Sequence, residues 1–242
     1  MMKVVALIPA RYKASRFPGK LMKDLAGKTV IRHTYERTLA TGLFDMVMVA
    51  TDSDIIFEEI TSHGGEARMT MSHYESGSDR IAEVAADMDV DIILNVQGDT
   101  PFINREVLTR LIAAFEDEEV QVASLMQPFE EESQMINPNC VKVVVDKKNN
   151  SLLFSRSRIP YPRNTDIHIP CYEHKGVYAF RKAALLQFTK WEMTPLELAE
   201  KIECLRYLEN GVPLRMVQVS KMGVEIDTPD DLERARKLMP GS

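Results

Sequence analysis

Cysteine is scarce in this 242-residue chain, and the three present, Cys140, Cys171 and Cys204, show no metal-ligand or redox spacing. A reducing compartment is the simple inference, and a chain of this length buries enough core to fold without disulfides or structural metal. Long hydrophobic runs are also missing. The N-terminus offers one lysine and a five-residue apolar segment before Pro9, which is no signal peptide, and no later run is long enough to span a membrane. A cytoplasmic protein without membrane insertion is expected. Nor is there an excess of positive charge: 30 Lys and Arg stand against 36 Asp and Glu, a formal net charge of −6, which argues against a nucleic-acid partner. Two nucleotide motifs fail as well. No Gly-x-Gly-x-x-Gly follows the first apolar run, and Gly27-Lys28-Thr29 ends like a P-loop whose required earlier glycine falls on Met22.

What is present is an alternation of short apolar runs and amphipathic stretches, without repeats, low-complexity tracts or linkers. Residues 4–8, 46–50, 67–70 and 92–96 predict strands. Helices are predicted over 28–40, from Ser53 and Asp54 to about His63, from the Ser76–Arg80 loop to about Asp87, and from Asn104 to about Phe115. Strand–helix alternation of this kind makes a parallel sheet covered on both faces. Thereafter the texture changes. Strands at 122–126, 141–145, 151–154 and 175–180 surround a turn at 147–150 and a proline-punctuated loop at 158–170. Helices over 182–188, 195–209 and 229–238, with a strand at 214–219, complete the chain. The expectation is a single α/β domain over residues 1–242 with an antiparallel insertion around 125–180.

The first strand runs into a loop carrying Arg11, Lys13, Arg16 and Lys20 among small residues and prolines. Such a loop suits a polyphosphate, with forked donors from Arg and a point charge from Lys; the plainer alternative is a basic surface turn. Asp99 ends a buried strand, where open α/β sheets bind ligands, and there it either bridges magnesium to phosphates or caps its own turn. Asp227 precedes the last helix and is a second metal candidate or an N-cap, whereas Asp230 and Asp231 read as first-turn acids favoured by the helix dipole. Gly77-Ser78-Asp79-Arg80 offers small polar groups at a helix start for a base or ribose. Arg156, Arg158 and Arg163 lie in a rigid stretch and face either an anionic substrate or solvent. His174 is either a partner for substrate hydroxyls or a structural histidine.

Taken together, these residues resemble one family. The segments Ile8–Tyr12 and Arg16–Lys20 are similar to the nucleotide loop of sugar nucleotidylyltransferases. The likeness continues through Val49-Ala50-Thr51-Asp52, Ser76–Arg80, Asn95-Val96-Gln97-Gly98-Asp99, Val141–Val144, Phe154-Ser155-Arg156 and His174–Tyr178. Pro195-Leu196-Glu197, Glu203, Leu205-Arg206 and Asp227–Leu232 narrow it to the 3-deoxy-manno-octulosonate cytidylyltransferase (CMP-Kdo synthetase) family. The resemblance implies a three-layer Rossmann-like nucleotidyltransferase fold, with a mostly parallel central sheet and an antiparallel insertion. It implies transfer of a cytidylyl group from CTP to Kdo for lipopolysaccharide or capsule synthesis, with Mg2+ as cofactor, in a homodimer built through the insertion. Arg11 and Lys20 would hold the CTP phosphates with Arg16 nearby, and Ala10, Ser76, Gly77 and Arg80 would frame cytosine and ribose. Asp99 and Asp227 would be the metal carboxylates. Gln97, Arg156, His174, Tyr178, Glu200 and Glu203 would form the acid-sugar side. The sequence departs from the family pattern at Thr100, Ser78-Asp79, Lys175, Cys204 and Met222–Ile226. The 8-amino analogue of Kdo therefore stands as the alternative acceptor, and a non-catalytic CTP sensor as a further one.

Overall fold

A computed structural model describes residues 2–239 apart from 14–16, 72, 73, 75, 165, 168 and 221. Its contacts divide the chain into two compact units, residues 1–109 with 222–242, and residues 110–221.

The first unit holds β1 (Val4–Ala10), β2 (Met46–Thr51), β3 (Ala67–Met69) and β4 (Ile92–Asn95), in the spatial order β4-β1-β2-β3 with every pairing parallel. β1 is buried along its whole length. A strand covered on both faces has no polar alternation to display, which is why its apolar run is continuous. Parallel pairing brings all four carboxyl ends to one edge of this sheet. Between the strands run α1 (Val30–Ala40), α2 (Asp54–Thr61) and α3 (Gly77–Ala86), and α4 (Arg105–Ala113) follows β4. The first helix starts two residues later than the periodicity predicts. Lys28–Thr29 instead forms a two-residue antiparallel ladder with Asp24–Leu25, and the Thr29 hydroxyl accepts from Arg32 N–H as the cap. The C-terminal helix, Pro229–Leu238, also belongs to this unit.

The second unit holds β5 (Val122–Pro128), α5 (Glu132–Ile136), β6 (Lys142–Val145), β7 (Ser151–Ser155) and β8 (Tyr172–Arg181). It continues with α6 (Lys182–Phe188), α7 (Pro195–Glu200), α8 (Leu205–Glu209) and β9 (Arg215–Gln218). Here β9 pairs in parallel with β5, while β5–β8, β8–β6 and β6–β7 are antiparallel. The turn between β6 and β7 places Asn149 at φ +61°, a left-handed conformation that Asn tolerates. The helix predicted over 195–209 is two helices, because Lys201 adopts φ +53° and ends the first. The short helix α5 has too few periodic residues to be read from sequence.

Candidate active site

The loop leaving β1 begins with Arg11, which is exposed, and returns at Gly19, whose N–H donates to Tyr12 O at 3.1 Å. Gly19 sits at φ +67°, so a side chain there would strain the return. Arg16 lies outside the described residues. Lys20 opens a single 3-10 turn, and its ammonium donates to both Asp99 and Asp227, the latter at 2.9 Å. Burial by itself would lower the Lys20 pKa, but the two carboxylate charges and their hydrogen bonds outweigh it and hold the ammonium above its ordinary value.

Asp99 is presented by a tight turn after β4. The Thr100 hydroxyl donates to Gln97 O at 2.6 Å, which gives the threonine at this departure from the family pattern a definite task. A Cβ on Gly98 would lie 3.0 Å from Ile31 Cδ1 and 3.3 Å from Pro9 O, so the turn presses against the end of β1. Ile226 N–H donates to Asp99 O at 3.0 Å and ties the second carboxylate segment to the first. The cap of the C-terminal helix is Thr228 and not Asp227. Asp231 completes the capping box by accepting from the Thr228 N–H and hydroxyl, and it accepts from Asp227 N–H as well. Asp231 therefore does more than complement a helix dipole, and its bonds to Thr228 and Arg234 keep its pKa below the ordinary value against the opposing effect of burial. With the cap supplied elsewhere, the Asp227 carboxylate reaches Lys20.

Two carboxylates converging on one cation form a hard-oxygen donor set. Among the described residues no cluster of three or more His, Cys, Asp or Glu has metal-holding geometry. A pair is what magnesium uses when phosphate oxygens and water complete its octahedron, so Asp99 and Asp227 fit that ion.

On the other side of β1, Ser76 caps α3 in a capping box with Asp79. A Cβ on Gly77 would approach Pro9 Cγ to 3.1 Å, which brings this helix start against the end of β1 close to buried Ala10. Arg80 is buried and spent on the chain itself. It pairs with Asp52 at 3.2 Å, donates to the Thr70 hydroxyl and lies 5.6 Å over the Tyr74 ring. Gln97 donates to Asn95 Oδ1 at 3.4 Å.

The remaining predicted residues lie in the second unit. Arg156 Nε donates to Glu200 O at 2.6 Å, Nη1 to Pro138 O at 2.9 Å and Nη2 to Lys201 O at 3.3 Å. The Glu200 carboxylate accepts from the Ser155 hydroxyl at 2.7 Å and from Arg156 N–H at 2.9 Å. Lys142, which sequence reasoning passed over as part of a strand, is fully buried and donates to Asn137 O and Arg156 O, both at 2.7 Å. Burial pulls its pKa below the ordinary value. A lysine interrupting an apolar strand was the available signal.

His174 is buried with its Nε2 3.0 Å from the Ser124 hydroxyl. That hydroxyl also faces Lys175 O at 3.1 Å and Val177 O at 2.9 Å, across the irregularity where β8 slips register against β5. One hydroxyl proton goes to a carbonyl, so His174 Nε2–H must donate to Ser124, and Nδ1 is left as the acceptor. Burial, helped by Lys175, drives the His174 pKa down to about 3 and keeps the imidazole neutral. Its ring contacts Phe154 and Tyr178 at centroid distances of 4.8 and 5.4 Å. Tyr178 is buried and hydrogen-bonded to Cys204; burial, then the charges of Cys204 and Glu203, raise its pKa. Lys175, the departure from the family pattern on this strand, pairs with Glu173 at 3.6 Å.

The cytidylyltransferase family profile matches residues 5–237. The 3-deoxy-manno-octulosonate cytidylyltransferase of Christiangramia forsetii is 54% identical over 240 residues, covering 98% of this chain and 97% of that protein. The protein of the same name from Flavobacterium johnsoniae is 53% identical over 241 residues, covering 98% and 99%. A solved structure of CMP:2-keto-3-deoxy-manno-octonic acid synthetase complexed with CTP superposes with a TM-score of 0.93 at 38% identity, covering 98% of both chains. A 4-diphosphocytidyl-2C-methyl-D-erythritol synthase from Anaerococcus prevotii, at 16% identity and a TM-score of 0.63, shares the Rossmann-like nucleotidyltransferase fold. The chain belongs to the cytidylyltransferase family and, within it, to the 3-deoxy-manno-octulosonate cytidylyltransferases.

Proposed function

We propose that this protein transfers the cytidylyl group of CTP to the anomeric C2 hydroxyl of Kdo, giving CMP-Kdo and pyrophosphate. The observation that carries this reading is the convergence of Lys20, Asp99 and Asp227 beside the carboxyl ends of β1 and β4. The hydroxyl oxygen bonds to the α-phosphorus as the bond to the pyrophosphate oxygen breaks, and the hydroxyl proton passes to solvent. Arg11 and Lys20 stabilise the charge that gathers on the phosphates, and Arg16 is assigned beside them. Ala10, Ser76 and Gly77 border the cytosine and ribose, and Arg80 braces that wall through Asp52. Magnesium held by Asp99 and Asp227 would supply charge neutralisation and lower the pKa of the attacking hydroxyl. Gln97, Arg156, His174, Tyr178, Glu200 and Glu203 serve the acid sugar, with His174 acting as a neutral hydrogen-bonding ring.

The active species is proposed to be a homodimer through residues 125–180. Support comes from exposed Ile136, Leu152, Tyr161, Ile167 and Ile169, and from a cavity of 490 Å³ that Met135, Pro160, Ile167 and Ile169 help to line.

The test is pyrophosphate release from CTP and magnesium, with Kdo and 8-amino-Kdo offered side by side and UTP as the nucleotide control. Rapid release with Kdo and CTP is expected. Preference for the amino sugar would keep the chemistry and change the acceptor. Silence with both acceptors, despite CTP binding, would overturn the assignment in favour of a sensor.

A further inference from the structure

A fully buried lysine whose ammonium meets only carbonyl oxygens needs a reason, because desolvating a charge is costly unless its hydrogen bonds are met. Lys142 lies at the start of β6, opposite Ser155 of β7 and Glu173 of β8. Its two acceptors belong to segments far apart in local structure: Asn137, in the turn after α5, and Arg156, just past β7. From Arg156 the network continues. The Arg156 N–H donates to the Glu200 carboxylate, and its guanidinium donates to the carbonyls of Pro138, Glu200 and Lys201. Two of those carbonyls close the C-terminal end of α7, where a cation is favoured. The Ser155 hydroxyl holds the other oxygen of Glu200 and accepts from Ser157 N–H. Three of the five guanidinium N–H groups thus anchor Arg156 to the chain, and one on each terminal nitrogen has no partner among the described residues.

We propose that Lys142 is a positioning residue for the acid-sugar subsite: by clamping Arg156 O and Asn137 O it fixes the Arg156 guanidinium and the Glu200 turn, and so orients donors for the sugar's carboxylate. This rests on the function proposed above. Lys142 touches no substrate and acts through Arg156.

The experiment compares wild type with Lys142→Met, which keeps the length and loses the charge and donors, and with Ser155→Ala, which cuts the same network at its rim. KM for Kdo, KM for CTP and kcat are measured separately, with CTP affinity by calorimetry and foldedness by urea unfolding. KM for Kdo is expected to rise at least about tenfold in Lys142→Met and by a smaller factor in Ser155→Ala, with CTP affinity held within about twofold. If Lys142→Met does not fold, Ser155→Ala alone decides. An unchanged KM for Kdo in a folded variant, or a parallel loss for both substrates, would overturn the role while leaving the function intact. A wild-type protein silent towards every acid sugar would remove the function, and this role with it.

Discussion

Lys20 occupies the place where Asp99 and Asp227 meet, so the chain's own ammonium balances both carboxylates. A divalent ion entering there must displace it, and the displaced ammonium is then available to phosphate oxygens. Lys20→Met should therefore act in opposite directions on two measurements. Mn2+ binding to nucleotide-free protein, followed by the electron paramagnetic resonance of free Mn2+, should tighten roughly tenfold, because the competent carboxylate pair is no longer held closed. Turnover should fall by about a hundredfold or more, as loss of a transition-state donor does. Mn2+ binding that weakens or stays unchanged would show that the two carboxylates do not share a cation site. At this scale the sequence was informative about residue type and silent about engagement. Asp227-Thr228-Pro229-Asp230-Asp231 reads equally well with either cap, and only geometry assigns the cap to Thr228. An arginine in a motif does not announce whether its donors face a ligand or the chain; Arg80 turns to Asp52, and Arg156 turns largely to carbonyls.

At the scale of elements, α7 and α8 are too short to persist alone, and the two are joined by a buried bidentate pair. Arg206 Nε and Nη2 donate to the Glu197 oxygens at 2.7 and 2.6 Å, with the guanidinium 3.9 Å over the Phe188 ring. Both residues appear in the sequence motif without a role, since spacing nine apart in a stretch read as one continuous helix gives no hint of a pair. The break at Lys201 is what lets the second helix turn its arginine back. Glu197→Ala or Arg206→Ala should each cost about 3–5 kcal/mol, because the surviving charge stays buried without its partner. Replacing both residues together with apolar side chains of similar volume should cost much less. Urea unfolding of the singles and the double checks this, and single losses under about 1 kcal/mol would mean the pair is solvated in solution.

For the whole molecule, the part legible in sequence was the part built from local connections. The first two β–α–β steps of the first unit join neighbours in the sheet, and the third crosses from β3 to β4 beyond β1, so alternation marks the elements while the crossover alone breaks the local order. Apart from the β6–β7 hairpin, the second unit is paired non-locally. β5 meets β8 about fifty residues later and β9 almost a hundred residues later, and nothing in a short window encodes either partner. His174 lies in that non-local ladder, and its environment sets a property of the entire fold. Its pKa is near 3 in the native protein against 6.5 for the ordinary imidazole, so between those values the unfolded chain binds a proton that the native chain does not. Stability is then full above 6.5 and falls as the pH drops through the window, at up to about 1.4 kcal/mol per pH unit. The half-buried His33, lowered first by burial, adds a contribution of the same sign. Asp231, whose pKa is also depressed, acts only at lower pH, where free carboxylates begin to protonate. Unfolding free energies taken from about pH 7.5 to about pH 5 should drop by about 2 kcal/mol on account of His174. His174→Gln keeps an N–H for Ser124 but cannot titrate, and it should lose that share of the slope while retaining the His33 share. If wild type and His174→Gln have the same pH dependence, the imidazole is not held neutral by burial in solution.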